Sequence, residues 1–434
     1  MLLIIIMRQK FRCGKQLTIC VFLFIILTHV LPAQVTADGN DIDIKIALIG
    51  PGKKIYTWWG YITLMIDDKS AGQNLSYDFG IFSFEDNNFI KNFIFGKLLY
   101  ICNASDADDN ISNYIGLNRD LTLYTLDFPP EKKMEIKKLA ENSILPENRY
   151  FYYQFFNDNC STRIRDIIDI ASEGQFKKQN DKNFHFTLRQ QMRLHTWFSP
   201  IADWFLCFLA GKNLDKPNTY WNAMFLPSEL ANNIENFYFT DEDGISKKLV
   251  SNKETINQSY GQNPVLDVPN KQWLQGLIAG IIIALFIIII FFIQAKYPKT
   301  GRTALGAANC VLGFFFGTAA LILFFMSFFT SHDFTFNNDN LLFISPLLLA
   351  SIPLGIKYAS TEAYDKRIFI EIALRVLWLL SVIGIIISLI INIFPAHRQD
   401  NLPYQLLMLP IALTLSLEPK GLKKMFHWFF WRWE

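Results

Sequence analysis

The chain has 434 residues, 51% of them hydrophobic, and a formal net charge of +2 at pH 7. A charge this close to zero gives no support for a nucleic-acid partner, which would favour a strongly basic surface. The sequence contains no CxxC pair and no cluster of histidine and cysteine at metal-ligand spacing, so we expect no metal site and no cofactor.

The N-terminus has the pattern of a secretory signal. Four basic residues precede a long apolar run that ends in LPAQVTA, with Val35 and Ala37 at the small-residue positions that signal peptidase recognises. We predict that residues 1–37 are a signal peptide cleaved after Ala37. Because the apolar run is long for a signal core, a retained anchor with the same orientation is the alternative.

Residues 38–240 are predicted to form one exported α+β domain. The segment YITLMIDD alternates between apolar and mixed side chains, and YDFGIFSF follows after a KSAGQN turn. This period of two predicts an antiparallel pair of strands over residues 61–84. A shift of one residue in the pairing would move every side chain to the other face, so whether Tyr61 and Asp78 share a face stays open.

Helical and strand patterns then alternate up to the only cysteine with a polar setting. FIKNFIFGKLLYI is amphipathic, LTLYTLDF has the composition of a strand, and Pro129 with Pro130 predicts the start of a helix. A further helix follows ENRYFYYQFFNDN, because apolar residues recur from Ile164 to Ala171 at helical spacing. Strands followed by helices favour an α+β fold.

Cys160 is predicted to lie in the first turn of this last helix, after a run of possible N-caps that ends in Asn159. Unpaired backbone amides, the helix dipole and Arg163 one turn along would lower the pKa of the thiol and activate it as a nucleophile. The alternative is structural. Cys160 lies four residues before Ile164, and free cysteine is often buried as a small hydrophobic residue.

Cysteine counting agrees with an exported domain that keeps a free thiol. This region has three cysteines, Cys102, Cys160 and Cys207. An odd number leaves at least one unpaired, even in an oxidising compartment. Residues 241–272 are polar and without periodicity, and we interpret them as a linker that leads down to the membrane.

The remaining residues, 273–434, are predicted to form an all-α membrane domain with about five spans. The apolar segments are 273–294, 304–329, 341–356, 376–394 and 402–417. Loops after the first, third and fifth are rich in Lys and Arg, which places them in the cytoplasm and the exported domain on the periplasmic side of the cytoplasmic (inner) membrane. The spans contain few ionisable residues, which argues against an ion-driven transporter.

Four segments together resemble a known family. GPGKKIYTWWGYITLMIDD, YDFGIFSF with FGKLLY, ENRYFYYQFFNDNCSTRIRDII, and TLRQQMRLHT through MFLPSEL are similar, over residues 45–235, to the Lnb N-terminal periplasmic domain, a domain of unknown function. The resemblance implies a circularly permuted papain-like (NlpC/P60-type) fold. In such a fold a strand that carries a histidine precedes a helix that begins at a cysteine.

The resemblance also implies a thiol site with Cys160 as nucleophile, but the expected histidine is missing. The family pattern reads WGH, whereas this chain has Tyr61 in WGY. A phenol with a pKa near 10 cannot accept a thiol proton at neutral pH as imidazole does. Asp78 is the possible orienting residue. His185 and His195 follow the cysteine and are the remaining substitutes for the base in the exported region.

We therefore predict a membrane-anchored cell-envelope protein with a degenerate cysteine-hydrolase-like domain. It would bind or scaffold an envelope lipid, glycan or peptide, with Trp58, Trp59, Asn159 and Arg163 as candidate binding residues. An active cysteine-dependent acyl hydrolase, acyltransferase or peptidase is the first alternative, and a transporter component the second. The polar loop between spans two and three is expected to pack under the exported domain.

Overall fold

The computed structural model describes residues 39–82 and 88–417. The predicted signal peptide lies outside these residues. The strands are β1 (Ile42–Ile49), β2 (Tyr61–Asp68), β3 (Gln73–Ile81), β4 (Leu99–Asp106), β5 (Leu121–Leu126), β6 (Tyr150–Tyr152), β7 (Asn183–Phe184), β8 (Asn218–Thr219), β9 (Tyr238–Thr240), β10 (Ser246–Lys248) and β11 (Val250–Asn257).

The helices of the N-terminal half are α1 (Phe89–Ile94), α2 (Ala107–Gly116), α3 (Pro130–Ser143), α4 (Cys160–Ala171), α5 (Gln175–Asn180), α6 (Leu188–Leu194), α7 (Pro200–Leu209), α8 (Tyr220–Ala223) and α9 (Pro227–Glu235). Those of the C-terminal half are α10 (Trp273–Lys296), α11 (Pro298–Phe329), α12 (Ser351–Ser360), α13 (Tyr364–Ile391) and α14 (Leu402–Ser416).

The N-terminal half is built on a seven-stranded sheet in the order β11-β5-β1-β2-β3-β4-β6. Neighbouring strands in this sheet pair antiparallel throughout. Helices α3, α4 and α9 pack on one face, and α2 packs on the other. Strands and helices are thus segregated, which confirms the α+β class of this domain.

The β2–β3 pair has the predicted antiparallel arrangement, and its register is now defined. Leu64 pairs with Tyr77 and Met65 with Ser76, which places Tyr61 and Asp78 on one face. The Thr63 and Ser76 hydroxyls on this same face are 2.7 Å apart. The opposite face carries Ile62, Leu64 and Ile66 and packs against α4 in the main core.

The segment FIKNFIFGKLLYI is not one amphipathic element. Its first part is helix α1, and its second part is strand β4, which pairs with β3 and β6. Gly96 separates the two with a φ of +66°, a conformation that glycine adopts readily. The apolar spacing fitted a helix throughout, but pairing with two neighbouring strands determines the conformation of the second part.

Part of the interval 241–272 is also structured. Strand β11 lies at the edge of the main sheet beside β5, and β10 pairs with β9. Most β11 side chains are exposed, because an edge strand outside the core needs no apolar face. The polar composition that led us to predict a linker is therefore equally typical of such a strand, and only residues 258–272 connect it to α10.

The C-terminal half is helical. Within the described residues, four segments are long and apolar enough to cross a membrane: Trp273–Lys296, Pro298–Phe329, Asp339–Ser360 and Tyr364–Ile391. The fifth predicted span corresponds to α14, which is apolar but shorter, with 15 residues and Pro410 inside it. The fourth helix begins at Tyr364, earlier than the predicted start at residue 376, because its first turns are amphipathic rather than uniformly apolar.

The loop between α11 and α12 contacts the N-terminal half, as the sequence predicted. The Ser331 amide donates to the Phe95 carbonyl at 2.9 Å, and Lys212 forms an ion pair with Asp339 at 3.2 Å. At Gly96 the fit is close, since an added Cβ would lie 2.8 Å from the His332 backbone nitrogen. These contacts hold the C-terminal end of α11 beside α1.

Candidate functional site

A cavity of about 750 Å³ opens where β2 begins, between β3, α2 and the start of α4. Its volume falls within the range of about 300 to 1,000 Å³ that is typical of small-ligand pockets. Much of its wall is aromatic, formed by Trp59, Tyr61, Phe82, Tyr100, Tyr114 and Tyr153 among others. Its polar groups include Asp78, Asn110, Arg119, Asn159 and Cys160. The cavity therefore brings together a thiol, a carboxyl and an apolar surface.

Cys160 is the first residue of α4, as predicted. Asn159 caps the helix by accepting hydrogen bonds from the Ser161 and Thr162 amides at 2.8 and 2.9 Å, in a capping box with Thr162. The Asn159 side-chain amide also donates to the Phe225 carbonyl at 3.0 Å, and the Ser161 hydroxyl donates to the Met224 carbonyl at 2.7 Å. The start of the helix is thus tied to the segment before α9.

The predicted lowering of the thiol pKa is wrong. Burial raises the pKa of Cys160 to about 12, although the Ile62 and Ser161 amides act in the opposite direction. The amides at the helix terminus are therefore in place, but loss of hydration has the larger effect. In this state of the protein the sulfur is a neutral thiol at neutral pH.

Arg163 does not face the thiol. Its guanidinium donates two hydrogen bonds to Asp158, at 2.7 and 2.9 Å, and its centre lies 3.7 Å from the centroid of the Phe151 ring. The cation is thus paired with a carboxylate, and Arg163 does not line the cavity. Arg165 pairs with the adjacent Asp166 and not with Asp169, since the Asp169 carboxylate accepts from the Lys177 amide.

Asp78 is the most perturbed carboxyl of the cavity. Burial raises its pKa to about 6, against the opposing effect of nearby donors. The Asn110 side chain donates to Oδ2 at 2.8 Å, and the Tyr61 hydroxyl lies beside the carboxyl. Oδ1 of Asp78 accepts no hydrogen bond from the described residues. The charge of Asp78 also contributes to the raised pKa of Cys160, which places the two groups near each other.

The two neighbouring tryptophans have different positions. Trp59 lines the cavity and meets Phe155 edge to face at 4.9 Å. Trp58 points away, stacks edge to face on Phe198 at 4.8 Å and borders a separate small pocket. Asn159 lines the cavity, as predicted for a binding residue, although its hydrogen bonds make it a structural cap as well.

No histidine of the described chain lines the cavity. His195 is buried elsewhere, with Nδ1 3.0 Å from the Trp58 carbonyl, and burial lowers its pKa to about 4. His185 packs between the rings of Phe184 and Phe186. Neither residue lies in the cavity, so neither is placed to act as a base on the Cys160 thiol.

Sequence reasoning missed Asn110 and Arg119. Asn110 lies on α2, a helix for which the sequence analysis made no prediction, and Arg119 precedes β5 in a turn where Asn118 has a φ of +52°. Asn118 and Arg119 have no motif around them that would indicate a site. The described residues also contain no group of three or more histidine, cysteine or acidic side chains arranged to hold a metal.

Two family models match the chain. The model described as the Lnb N-terminal periplasmic domain matches residues 32–197, and the model described as the Lnb transmembrane domain matches residues 270–418. The first range includes Tyr61, Asp78 and Cys160. No curated protein and no solved structure matches the chain significantly. The resemblance in the exported region is therefore confirmed, and it extends to the membrane domain.

Proposed function

We propose that this membrane-anchored envelope protein binds an acyl chain of an envelope lipid in its periplasmic cavity. The premise is that the chain belongs to the family that carries the Lnb periplasmic and Lnb transmembrane domains. The cavity wall is largely apolar and includes Trp59, which also packs against the hydrophobic cluster of the membrane helices. Such a surface suits a hydrocarbon chain better than a glycan, which needs many hydrogen-bonding groups.

A series of contacting aromatic rings, running from the cavity to α1, carries this proposal. Tyr153 stacks on Tyr100 at 4.2 Å, and Tyr100 contacts Phe82 at 5.0 Å inside the cavity. Phe82 stacks on Phe89 of α1, which stacks on Phe93, each pair at 6.2 Å.

Phe93, the last ring of this series, meets the ring of His332, in the loop after α11, at 6.4 Å. Phe95, directly after α1, meets Phe325 of α11 at 5.7 Å, and Phe325 stacks on Phe329 at 6.0 Å. On α1, Ile90 and Phe93 are 72% and 58% exposed. Exposed apolar side chains beside a membrane helix are stable when lipid covers them. An acyl chain can therefore pass from the outer leaflet along α1 into the cavity without crossing water.

Photocrosslinking tests acyl binding. Full-length protein in phospholipid nanodiscs would be irradiated with a phospholipid that carries a diazirine near the end of one acyl chain. We expect crosslinks at Tyr100 and Tyr153. Phe93→Asp should reduce them several-fold, because a charge on the path excludes hydrocarbon. Ile170→Asp is the matched control, since Ile170 is 51% exposed on α4. No cavity crosslinks in the unmodified protein would refute the proposal.

Cysteine-dependent acyl transfer is the second candidate function, and the raised pKa of Asp78 favours it. A carboxyl that titrates near pH 6 can act as a general base at neutral pH. In this reaction the Cys160 proton passes to Asp78, directly or through the Tyr61 hydroxyl, and the sulfur attacks an ester carbonyl of the bound lipid. The alcohol leaves with that proton and a thioester remains, which water or an amine then resolves.

Intact-mass spectrometry separates the two functions. After incubation with phospholipid, acyl transfer predicts a mass increase of one acyl group at Cys160 that neutral hydroxylamine removes. Cys160→Ala should abolish the increase and Asp78→Asn should reduce it strongly. Lipid binding without any hydroxylamine-sensitive adduct would leave the binding function alone.

A further inference from the structure

Arg119 is a buried cation in the wall of the cavity. Its side chain is only 5% exposed, and both Nε and Nη2 donate to the Gly50 carbonyl, at 2.9 and 2.6 Å. Nη1 makes no hydrogen bond within the described part of the chain. One edge of the planar guanidinium is thus used to fix its position, and the edge formed by Nη1 and the second N–H of Nη2 is left without a protein acceptor.

The other buried arginines of the described chain show that this arrangement is unusual for the protein. Arg189 pairs with Asp215, Arg193 with Asp203 and Arg165 with Asp166, all within 4 Å. Within residues 39–82 and 88–417, Arg119 alone among the buried arginines forms no ion pair with a carboxylate.

The surroundings of Arg119 do not compensate its charge. The guanidinium centre lies 5.5 Å from the centroid of the Tyr114 ring, and the neighbouring titratable groups are Tyr61, Tyr56 and Cys160. None of these groups is a carboxylate. A buried charge without a counter-charge is costly in free energy, so an anion that enters the cavity would be stabilised by pairing with it.

We propose that Arg119 binds an oxyanion of the lipid held in the cavity, either the phosphate of a headgroup or the carboxylate of a free fatty acid. The inference rests on the proposed lipid-binding function and adds the polar end of the ligand. The unused edge of the guanidinium presents two parallel N–H donors, which match two oxygens of a phosphate or carboxylate. The flat fork of Arg fits this group better than the single ammonium of Lys would.

Other charges on the cavity wall agree with this location. Lys53 and Lys54 line it and add positive charge. The acids that line it are Asp78, whose Oδ2 accepts from Asn110, and Asp109. Neither acid pairs with Arg119. An oxyanion on Arg119 would share the cavity with the Cys160 thiol, so the ligand would be held by its polar end near the sulfur.

Three probes with the same palmitoyl chain test the inference on full-length protein in detergent. Lysophosphatidylglycerol carries a phosphate, palmitate a carboxylate, and monopalmitoylglycerol no charge. We expect the protein to bind at least one anionic probe more tightly than the neutral probe. In Arg119→Gln that probe should lose about 10- to 100-fold in affinity, as expected for a hydrogen-bonded charge pair, while the neutral probe changes less than about twofold.

Two further variants keep the result interpretable. Lys133→Gln is the control for loss of one positive charge, because Lys133 lies on α3 and does not line the cavity. Arg119→Lys keeps the charge without the fork and should lose less than Arg119→Gln. If Arg119→Gln fails to fold, two results still decide the question. The unmodified protein should prefer an anionic probe, and this preference should be weaker in Arg119→Lys.

The outcomes are distinct. An equal loss for all three probes in Arg119→Gln, or no preference for either anionic probe in the unmodified protein, would overturn the inference. The anionic probe that is bound more tightly identifies the phosphate or the carboxylate as the preferred group. If only soluble glycerol phosphate binds, in an Arg119-dependent manner, and no palmitoyl probe does, the anion site stands and acyl binding fails.

Discussion

The Tyr61 phenol and the Asp78 carboxyl lie side by side on one face of β2 and β3, above Gly80. A Cβ at Gly80 would lie 2.8 Å from Cε2 of Tyr61 and 3.2 Å from its hydroxyl. The missing side chain at residue 80 thus provides the space in which the phenol rests. The position at which the resemblance implies a histidine is thus filled by a phenol, which lies next to the carboxyl expected to orient that histidine.

Replacing Asp78 by Asn should stabilise the protein in a pH-dependent manner. Burial raises the pKa of Asp78 to about 6, so ionisation of this group destabilises the folded state. The contribution of Asp78 to stability is therefore fully present below about pH 4 and is lost as the pH rises through about 6. At pH 8 we expect Asp78→Asn to raise the free energy of unfolding by about 2–3 kcal/mol.

Thermal unfolding at pH 4.5 and pH 8 measures this effect. The Tm difference between Asp78→Asn and the unmodified protein should be much larger at pH 8. Asp109→Asn, on the exposed part of α2, is the control. A Tm difference that does not depend on pH would show that folding does not raise the pKa of Asp78.

The Cys160 thiol should react slowly with alkylating reagents at neutral pH. Burial raises its pKa to about 12, and the thiolate is the reactive form. With the other cysteines replaced by serine, the rate of iodoacetamide labelling should keep rising up to at least pH 10. Arg163→Gln should leave the rate nearly unchanged, because Arg163 pairs with Asp158. Half-maximal labelling below pH 8 would contradict the buried, neutral thiol.

Tyr61→His should create or increase acyl-ester turnover. The smaller imidazole fits the space above Gly80 and would lie beside Asp78, which can orient it. A positioned general base contributes about 10² to 10⁴-fold in rate, and we expect a gain of this order with an activated thioester. Tyr61→Phe is the matched control, and Cys160→Ala should abolish the gain. Turnover by Tyr61→Phe equal to that of Tyr61→His would exclude a role for the imidazole.

Gly96→Ala should weaken the contact between the two halves of the chain. Gly96 and Gly72 both have positive φ, +66° and +61°, so an alanine at either residue strains the backbone. Only at Gly96 would the Cβ also meet another segment, 2.8 Å from the His332 nitrogen. We expect Gly96→Ala to increase proteolysis of the loop between α11 and α12, whereas Gly72→Ala should not. Equal cleavage in both variants would indicate backbone strain alone.

Reporter fusions test the predicted orientation. Alkaline phosphatase joined after residue 240 or residue 335 should be active, because these points are expected outside the cytoplasm. Fusions after residues 300, 362 and 434 should be inactive. The fusion at residue 434 is the most informative, since it asks whether the short helix α14 crosses the membrane. Activity there would reduce the number of spans to four.

Local features of the site could be predicted from the sequence. The start of α4 at Cys160 and its cap at Asn159 follow from short-range patterns, because capping involves residues two or three positions apart. Features that depend on long-range contacts could not be predicted from the sequence. Three features depend on segments distant in sequence: the β2–β3 register, the hydrogen bonds from Asn159 and Ser161 to residues 225 and 224, and the different directions of Trp58 and Trp59.

The positions of the charged groups were also not predicted correctly. Arg163 is one turn from Cys160 in the helix, yet its partner Asp158 lies before the cap and holds the guanidinium away from the thiol. Arg119 was not singled out, because an isolated arginine before a strand has no pattern. Arg119 is an unpaired cation because no acidic side chain of the described residues pairs with it. Only the folded structure can show this.

The edge position of β11 bears on how the protein is made. Translation proceeds from the N-terminus, and β11 (Val250–Asn257) is the last strand of the sheet to be synthesised, shortly before α10. The edge of β5 that pairs with β11 therefore stays unpaired until the chain has been exported as far as residue 257. The sheet is therefore completed only shortly before the first membrane helix is synthesised. A secreted fragment that ends at residue 240 would expose β5 as an open edge and be prone to aggregation.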